Sequence, residues 1–374
     1  MVATIAGTLE GFMLPFVKHF RDLGWQVDGL ASEVDLSDRC IQAFNNFYKI
    51  SWARNPLDPK NFLQAPSRVR EVVIQGGYDL VHVHTPIASF ITRYALKEYW
   101  DQPKRPQIFY TTHGFHFHAN GSPVTNAIYR KMESIAGQWT DCLITINEDD
   151  RLAAEKYKIV PTEKIQYTPG IGVDTSFYDS LNFSDQAKQE IRSELTLKDS
   201  DTLLLGVAEF TPNKKHSDQL KALKLLNRSD IHLAFAGEGP AKSETEKLSV
   251  ELGLQNQVHF LGFRSDIPLL LSVSDSMILT SEREGLPRSI LEAFCLATPV
   301  IGSNIRGIKD LLADDCGILV NYGDVNALAK AMSCIADNKD KAKAMGQKGK
   351  SKIGHYDIKQ IVAMYDDFYR QALA

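Results

Sequence analysis

Two glutamates eight positions apart, Glu284 and Glu292, have the side chains in this sequence that are best placed to do chemistry. They follow the apolar run 276–280, which predicts a buried parallel strand, and we expect Pro287 to be the first residue of the next helix. Glu284 is therefore predicted to lie in a strand-to-helix loop. Glu292 falls in a helix that is apolar on nearly every side, so its carboxylate needs hydrogen-bond donors such as sugar or ribose hydroxyls.

The loop around Glu284 is predicted to lie at the carboxyl end of its strand, where open α/β sheets bind ligands. A helix that begins there presents unpaired N–H groups to an anion, and Gly285, Leu286 and Pro287 would form that start. The alternative is that Glu284 is a solvated loop residue and Glu292 a partly exposed helix charge. The spacing of the two glutamates alone does not separate these interpretations.

A second strand-to-helix loop offers a cation. The strand 202–208 ends in Glu209, and Thr211 and Lys214 precede a helix over 217–226. A lysine in such a loop can act as a point charge for a diphosphate. The alternative is a solvated loop with two lysines.

Two further loops follow predicted strands of the second half. Gly237 and Gly239 come after the strand 231–236, and Phe263 and Arg264 come after the strand 258–261. Taken alone, each loop is weak evidence for a ligand site, because turns with glycine and proline commonly connect helices and strands.

In the first half, the strands 79–84 and 107–111 deliver His84 and His113 at or just beyond their carboxyl ends. A metal site formed by His113, His116 and His118 is an alternative that lacks a nearby acidic or cysteine partner. The segment 7–11 is predicted to be a glycine-bounded loop that is flexible enough to approach a phosphate.

The length, net charge and cysteine content of the chain restrict the class of protein to which it can belong. A chain of 374 residues fits two domains, and its net charge of -4 gives no nucleic-acid signature. Strands alternate with helical patterns, which predicts parallel, doubly wound sheets. The five scattered cysteines indicate reduced thiols in a cytoplasmic protein, and we find no signal peptide or membrane-spanning stretch. Because the chain opens directly on a strand, we expect its native start to lie upstream of Met1.

The segment from Glu284 to Glu292, with Gly285, Pro287 and Ala293, resembles the retaining glycosyltransferases of the GT-B fold, family 4 (group 1), of the bacterial exopolysaccharide or capsule type. The resemblance covers almost the whole chain. It implies an α/β fold of two Rossmann-like, doubly wound parallel-sheet domains that face a cleft. The domains expected from it are an N-terminal acceptor domain over 1–175, a donor domain over 176–355, and a C-terminal helix, 356–374, that crosses back to the first domain.

The resemblance also implies roles for single residues. Glu284 would bind hydroxyls of the donor sugar and Glu292 the ribose, while Lys214 and the helix start would hold the diphosphate and His113 the sugar from the opposite wall. The family's Lys loop usually carries an arginine where this chain has Glu209. The predicted catalytic residues are His113, Glu284 and Lys214, and the predicted donor site comprises Gly11, Glu209, Thr211, Lys214, Gly237, Gly239, Phe263, Arg264, Glu284, Gly285, Leu286, Pro287 and Glu292.

The function implied is a metal-independent, retaining transfer of a hexose from a nucleotide diphosphate sugar, with UDP-glucose as the expected donor and no cofactor. The acceptor would be a glycan or lipid-linked sugar of surface polysaccharide, met in the cytoplasm or peripherally at the inner face of the membrane. The aromatic loop 115–118 with Trp100 and Trp139 is one candidate contact for a lipid-linked acceptor. The alternatives are a sugar-nucleotide epimerase of the same fold and a non-catalytic sugar-nucleotide binding module.

Overall fold

The computed structural model describes residues 1–52, 58 and 60–374. The chain divides into two compact units, one of Met1–Ile171 with Ile358–Ala374 and one of Gly172–Asp357. Each unit has its own parallel sheet, which confirms the two Rossmann-like, doubly wound domains predicted from the alternation of strands and helices.

The first segment of unit 1 alternates strands and helices. Its strands are β1 (Val2–Ile5), β2 (Gly29–Ser32), β3 (Phe47–Lys49), β4 (Leu80–His84), β5 (Gln107–Thr112), β6 (Cys142–Thr145) and β7 (Ile165–Tyr167). Its helices are α1 (Ala6–Phe12), α2 (Leu14–Asp22), α3 (Asp38–Ala43), α4 (Lys60–Leu63), α5 (Ala65–Gly76), α6 (Pro86–Leu96), α7 (Pro123–Gly137) and α8 (Glu148–Lys156). Among the described residues the sheet has seven strands in the order β3-β2-β1-β4-β5-β6-β7, all paired in parallel.

The prediction of a flexible glycine loop after β1 is wrong. Residues 7–11 lie within helix α1, which begins directly at Ala6. Gly7 and Gly11 do not use the left-handed backbone that glycine alone adopts easily, and Ala6 and Leu9 are buried in the core of the unit. Burial of this apolar face outweighs the low helix propensity of the two glycines.

Unit 2 has the same alternation. Its strands are β8 (Thr202–Val207), β9 (Ile231–Ala236), β10 (Val258–Gly262), β11 (Ser276–Leu279), β12 (Val300–Ser303) and β13 (Gly317–Val320). Its helices are α9 (Thr175–Asp179), α10 (Asp185–Glu194), α11 (His216–Leu226), α12 (Lys242–Glu251), α13 (Ile267–Val273), α14 (Arg288–Cys295), α15 (Ile308–Leu311), α16 (Val325–Asp337) and α17 (Lys339–Lys352). The six-stranded sheet has the order β10-β9-β8-β11-β12-β13, also all parallel.

The strands of unit 2 are nearly continuous apolar runs. β8, β9, β11 and β12 are buried along almost their whole length, as expected of parallel strands covered by helices on both faces. Because β8 and β11 are neighbours, the loops that follow them emerge side by side at the carboxyl edge of the sheet. That edge carries most of the residues that the sequence singles out.

The last helix, α18 (Ile358–Leu373), belongs to unit 1. Its Ile361, Tyr365 and Tyr369 are buried in the same core as α1 and α2, and Tyr365 packs against Phe16 with ring centroids 4.8 Å apart. Each of the five cysteines carries a free thiol.

One boundary at the predicted site differs from expectation. Pro287 is not the first helical residue, because its backbone is extended, with ψ near 117°, and helix α14 begins at Arg288. Proline still precedes the helix without breaking a hydrogen bond, since it has no N–H to lose. The first amide of this helix is therefore that of Arg288, one residue later than predicted.

Candidate active site

Lys214 and Glu284 meet at the carboxyl edge of the unit 2 sheet. Lys214 ends a short 3₁₀ turn after β8, Glu284 lies in the loop after β11, and Lys214 Nζ is 2.5 Å from Glu284 Oε1. The side chains are only 21% and 12% exposed. A largely buried cation and carboxylate at a ligand-binding edge can serve a diphosphate and sugar hydroxyls respectively.

Asn213 holds the two loops together. Its Oδ1 accepts a hydrogen bond from the Arg283 amide at 3.2 Å, and its Nδ2 donates to the Arg283 carbonyl at 3.1 Å. The Asn213 carbonyl also accepts from the Glu282 amide at 2.8 Å. These contacts fix the backbone immediately before Lys214 and immediately before Glu284.

A third loop, after β12, packs against the residues that follow Glu284. A Cβ on Gly307, whose φ is +77°, would lie 2.0 Å from the Gly285 carbonyl oxygen, so only glycine permits this approach. Arg306 Nε donates to the Glu284 carbonyl at 3.2 Å. Gly285 and the buried Leu286 and Pro287 are therefore held in place from the β12 side.

Glu292 lies on α14, as predicted, and its side chain is 18% exposed. Arg288 Nε is 3.1 Å from Glu292 Oε1, one helical turn away. Burial raises the pKa of Glu292, while Arg288 and the hydroxyl of Tyr178 act in the opposite direction. The carboxylate is thus surrounded by donors, which matches the need inferred from its apolar helix.

The glycine loop after β9 lies directly against the loop after β8. A Cβ on Gly237 would be 2.0 Å from the Ala208 carbonyl oxygen, and one on Gly239 would be 2.5 Å from the Phe210 carbonyl oxygen. The Phe210 amide donates to the Glu238 carbonyl at 2.9 Å. Glu209, between these contacts, is exposed, and the Thr211 amide donates to the Glu209 carbonyl at 2.9 Å.

Phe263 and Arg264 follow β10 at the same edge of the sheet. The Phe263 ring is 83% exposed, whereas Arg264 donates from Nε and Nη2 to Asp266, both at 2.7 Å, and from Nη1 to Glu194 at 2.6 Å. The guanidinium of Arg264 is therefore tied to two carboxylates. What this loop offers a ligand is the phenyl ring and its backbone groups.

In unit 1, His84 and His113 come together at the carboxyl ends of β4 and β5. His84 Nδ1 is 3.2 Å from His113 Nε2, and the His113 ring stacks on Phe12 with centroids 5.8 Å apart. Burial lowers the pKa of His113 to about 4 and the pKa of His84 well below its usual range. Both rings are neutral at physiological pH and can only donate or accept hydrogen bonds.

Gly11 and the aromatic loop 115–118 are the other candidates of unit 1. Gly11 is in the last turn of α1, and Phe115 and Phe117 are buried and stacked on each other, so these two rings are not presented to a lipid. His116 packs against the ring of Tyr129. Within the described residues no group of three His, Cys, Asp or Glu side chains is arranged to hold a metal ion, and none of the described helices is long and apolar enough to cross a membrane.

Sequence reasoning missed several residues that shape the site. Asn213 and Tyr178 had no spacing signal, because each meets its partner only through the tertiary fold. Arg306 had one, since it follows the strand β12 at the same edge as the predicted site. The partnership of Lys214 with Glu284 also went unpredicted.

Comparison with known sequences links both halves of the chain to glycosyltransferases. Residues 10–177 match the family described as Glycosyltransferase Family 4, and residues 187–352 match Glycosyl transferases group 1. A Bacillus subtilis protein named "Putative glycosyltransferase EpsD" is 31% identical over 98% of this chain and 94% of its own length. The Escherichia coli UDP-Gal:alpha-D-GlcNAc-diphosphoundecaprenol alpha-1,3-galactosyltransferase is 28% identical over 70% of this chain and 67% of its own.

Solved structures show the same fold. The crystal structure of Anabaena HepE in complex with UDP-glucose aligns with a TM-score of 0.80 at 18% identity, covering 99% of this chain and 98% of HepE. With the two parallel-sheet units described above, this confirms the GT-B type of α/β fold. The sequence matches, which extend across both units, show that the chain belongs to the glycosyltransferases of group 1 and family 4.

Proposed function

We propose that this protein is a retaining glycosyltransferase that moves a hexose, with glucose from UDP-glucose as the first choice, onto a glycan or lipid-linked acceptor of surface polysaccharide. The observation that carries the proposal is the Lys214–Glu284 pair at the carboxyl edge of unit 2, with Nζ and Oε1 2.5 Å apart. It supplies a cation for a diphosphate and a carboxylate for sugar hydroxyls on adjacent loops. HepE binds UDP-glucose, and the Escherichia coli relative uses UDP-Gal and a diphosphoundecaprenol acceptor.

The proposed chemistry depends on electrostatic stabilisation. As the glycosidic bond loosens, negative charge grows on the departing diphosphate, where Lys214 and the amides at the start of α14 would stabilise it without a metal ion. The acceptor hydroxyl attacks the anomeric carbon from the same face and gives its proton to the leaving phosphate. The anomeric configuration of the donor is thereby kept.

Each predicted site residue has a place in this proposal. Glu284 is proposed to bind hydroxyls of the donor sugar, Glu292 the ribose and His113 a sugar hydroxyl. The remaining donor-site positions are proposed to lie around the diphosphate and the base. They are Gly11, Glu209, Thr211, Gly237, Gly239, Phe263, Arg264, Gly285, Leu286 and Pro287.

A donor screen followed by product analysis tests the proposal. UDP-glucose should raise the thermal unfolding midpoint more than other nucleotide sugars do, because a ligand that binds only the native state stabilises it.

Adding polyprenyl-diphosphate sugars as acceptors should release UDP and yield a product that NMR shows to be α-linked. A product with inverted configuration contradicts the retaining mechanism. Conversion of the donor sugar without an acceptor would instead identify an epimerase, and binding without any turnover a binding module.

We also propose that the protein meets its acceptor peripherally at the cytoplasmic face of the membrane. Val124 and Ile128, exposed by 70% and 54%, lie one turn apart on α7, and exposed Lys131 follows on the same face. This surface replaces the aromatic-loop part of the contact suggested by the sequence, because Phe115 and Phe117 are buried.

Sedimentation with anionic phospholipid vesicles tests the membrane contact. Replacing Val124 and Ile128 with glutamate should reduce vesicle binding, since charge disfavours insertion into the interface. The control is Val250→Glu, at a valine that is 56% exposed on α12 of unit 2. Equal binding by the wild type and the double variant would contradict this part of the proposal.

A further inference from the structure

The side chain of His84 is completely buried at the end of β4. Along this strand Val81 and Val83 face the apolar core on one side of the sheet. His82 and His84 face the other side, where the ring of His82 packs against that of Tyr365 from α18. A buried imidazole on such a face needs hydrogen-bond partners.

His82 has two such partners and His84 has one. His82 Nδ1 is hydrogen-bonded to the Tyr369 hydroxyl, and His82 Nε2 to Thr111 Oγ1 at 2.8 Å. His84 Nδ1 is bonded to His113 Nε2 at 3.2 Å, while His84 Nε2 is buried without a partner. His113 Nδ1 forms no hydrogen bond with a described residue either. The two rings therefore share one hydrogen bond, and each has one nitrogen outside it.

Two neutral arrangements satisfy this shared hydrogen bond. If His113 Nε2 donates, His84 carries its proton on Nε2 and buries an unpaired N–H group. If His84 Nδ1 donates, His84 leaves only an unpaired lone pair at Nε2, and His113 carries its proton on Nδ1. Buried N–H groups without a partner are the rarer of the two defects in folded proteins, so the second arrangement is favoured.

We propose that His84 is a positioning residue that donates a hydrogen bond to His113 and thereby fixes the His113 proton on Nδ1, as a donor to a hydroxyl of the bound sugar. The assignment of the tautomer rests on the contacts within unit 1. The assignment of the ligand rests on the proposed function. Since the second nitrogen of a histidine is set by the partner of the first, the role needs no direct contact between His84 and the sugar.

The backbone of His84 is suited to this role because it is firmly held. Thr85 has the unusual φ of +67°, immediately before the proline that begins α6. Its hydroxyl accepts from the Thr4 amide at 3.0 Å and is 2.7 Å from Thr4 Oγ1, so β1 holds this strained residue. On the other side, the Phe12 ring stacks on His113 with an interplanar angle of 23°.

The tautomer of His113 can be read directly by long-range ¹H–¹⁵N NMR of the full chain labelled at histidine, with His113→Gln to assign its signals. The expected result for the wild type is a protonated Nδ1 and an unprotonated Nε2. The expected result for His84→Leu is loss of this preference, whereas His84→Asn, whose amide can donate from a similar position, should keep it. A wild-type His113 protonated on Nε2 would overturn the proposal.

Calorimetric titration with UDP and with UDP-glucose tests the ligand. His84→Leu should weaken UDP-glucose binding about 2-fold to 10-fold, the effect expected of one hydrogen bond, and leave UDP binding unchanged. His84→Asn should bind both as the wild type does. Equal loss of UDP and UDP-glucose affinity, or no loss of either, would contradict the role toward the sugar. A wild type that binds neither ligand would refute the proposed function, and the NMR result would still decide the tautomer.

Discussion

At the scale of single residues, the Lys214–Glu284 pair joins two groups that each have another proposed partner. With side chains 21% and 12% exposed, each neutralises the other in a setting where an isolated charge is costly. A bound donor would replace this ion pair, because its diphosphate would contact Lys214 and its sugar hydroxyls would contact Glu284. Without a donor, each of the two side chains therefore has the other as its partner.

Replacing Glu284 should affect the sugar and spare the nucleotide. Glu284→Ala removes the acceptor of sugar hydroxyl hydrogen bonds but leaves the Lys214 charge, so we expect UDP-glucose affinity to fall about 10-fold while UDP affinity is kept or increased. Calorimetric titration measures both. Glu244→Ala, at an exposed glutamate of α12, is the control. Unchanged UDP-glucose binding by Glu284→Ala would remove this residue from the sugar site.

Glu292 leads to a prediction about pH. Burial raises the pKa of its carboxyl group, so this group takes up a proton at a higher pH than an ordinary glutamate does. If the carboxylate accepts hydrogen bonds from the ribose, UDP affinity should decrease as the pH falls toward this raised pKa. Glu292→Gln should bind more weakly at neutral pH and lack this component of the pH dependence. The measurement is UDP affinity from pH 8 to 5, and identical profiles for the two proteins would contradict the role.

The residue types of the site could be predicted from the sequence, but their partnerships could not. Lys214 and Glu284 were each placed after a strand. They are 70 positions apart, and they meet because β8 and β11 are adjacent in a sheet whose strand order is not the order of the chain. Spacing along the chain carries no information on that adjacency. The contacts of Asn213 and Tyr178 went unpredicted for the same reason.

At the scale of elements, the site of unit 2 consists of loops that touch one another closely. Gly307 in the loop after β12 approaches the Gly285 carbonyl, and Asn213 joins the loops after β8 and β11. Loops held in this way present their side chains in a preformed arrangement, which lowers the cost of ordering them when a ligand binds.

Two glycine substitutions separate steric displacement from backbone strain. Gly307→Ala and Gly323→Ala introduce a side chain at nearly the same φ, +77° and +78°, but only the first meets a neighbour, at 2.0 Å. Both should lose about 1 kcal/mol or more of unfolding free energy from the left-handed backbone. Gly307→Ala should lose more and should also weaken UDP-glucose binding. Chemical denaturation and titration measure these effects, and equal behaviour of the two variants would contradict the steric argument.

The elements themselves followed closely from the pattern of the sequence, with exceptions that have a physical cause. The strand predicted over 231–236 is found with the same bounds as β9. Segment 7–11 was predicted as a loop because of its glycines, yet burial of Leu9 makes it helical. The sequence does not predict β3, because this strand is only three residues long and none of its residues is fully buried. Its alternation of apolar and polar residues is too short to indicate a strand.

At the scale of the whole molecule, buried neutral histidines make stability depend on pH. Burial lowers the pKa of His113, His216 and His259 to about 4, and of His82 and His84 well below the usual value. Below about pH 6.5 the unfolded chain binds protons at these positions that the folded chain does not. Stability is therefore expected to fall as the pH decreases from about 6.5 toward 4.

The thermal unfolding midpoint between pH 7.5 and 5 measures this effect. We expect it to fall across that range, and His216→Gln, which removes one of the buried imidazoles, to show a shallower decrease. His355→Gln, at an exposed histidine, is the matched control and should follow the wild type. A midpoint that stays constant down to pH 5 would contradict the assignment of these rings as neutral and buried.

The most direct test of the proposed nucleotide-sugar site is a calorimetric titration of UDP into the wild type and into Lys214→Ala, with Lys224→Ala on the exposed face of α11 as the control. Because Lys214 is proposed to bind the diphosphate, its removal should weaken UDP binding about 10-fold to 100-fold, the effect of losing a charged hydrogen bond. Lys224→Ala should bind as the wild type does. Equal affinity of the wild type and Lys214→Ala for UDP would contradict the account.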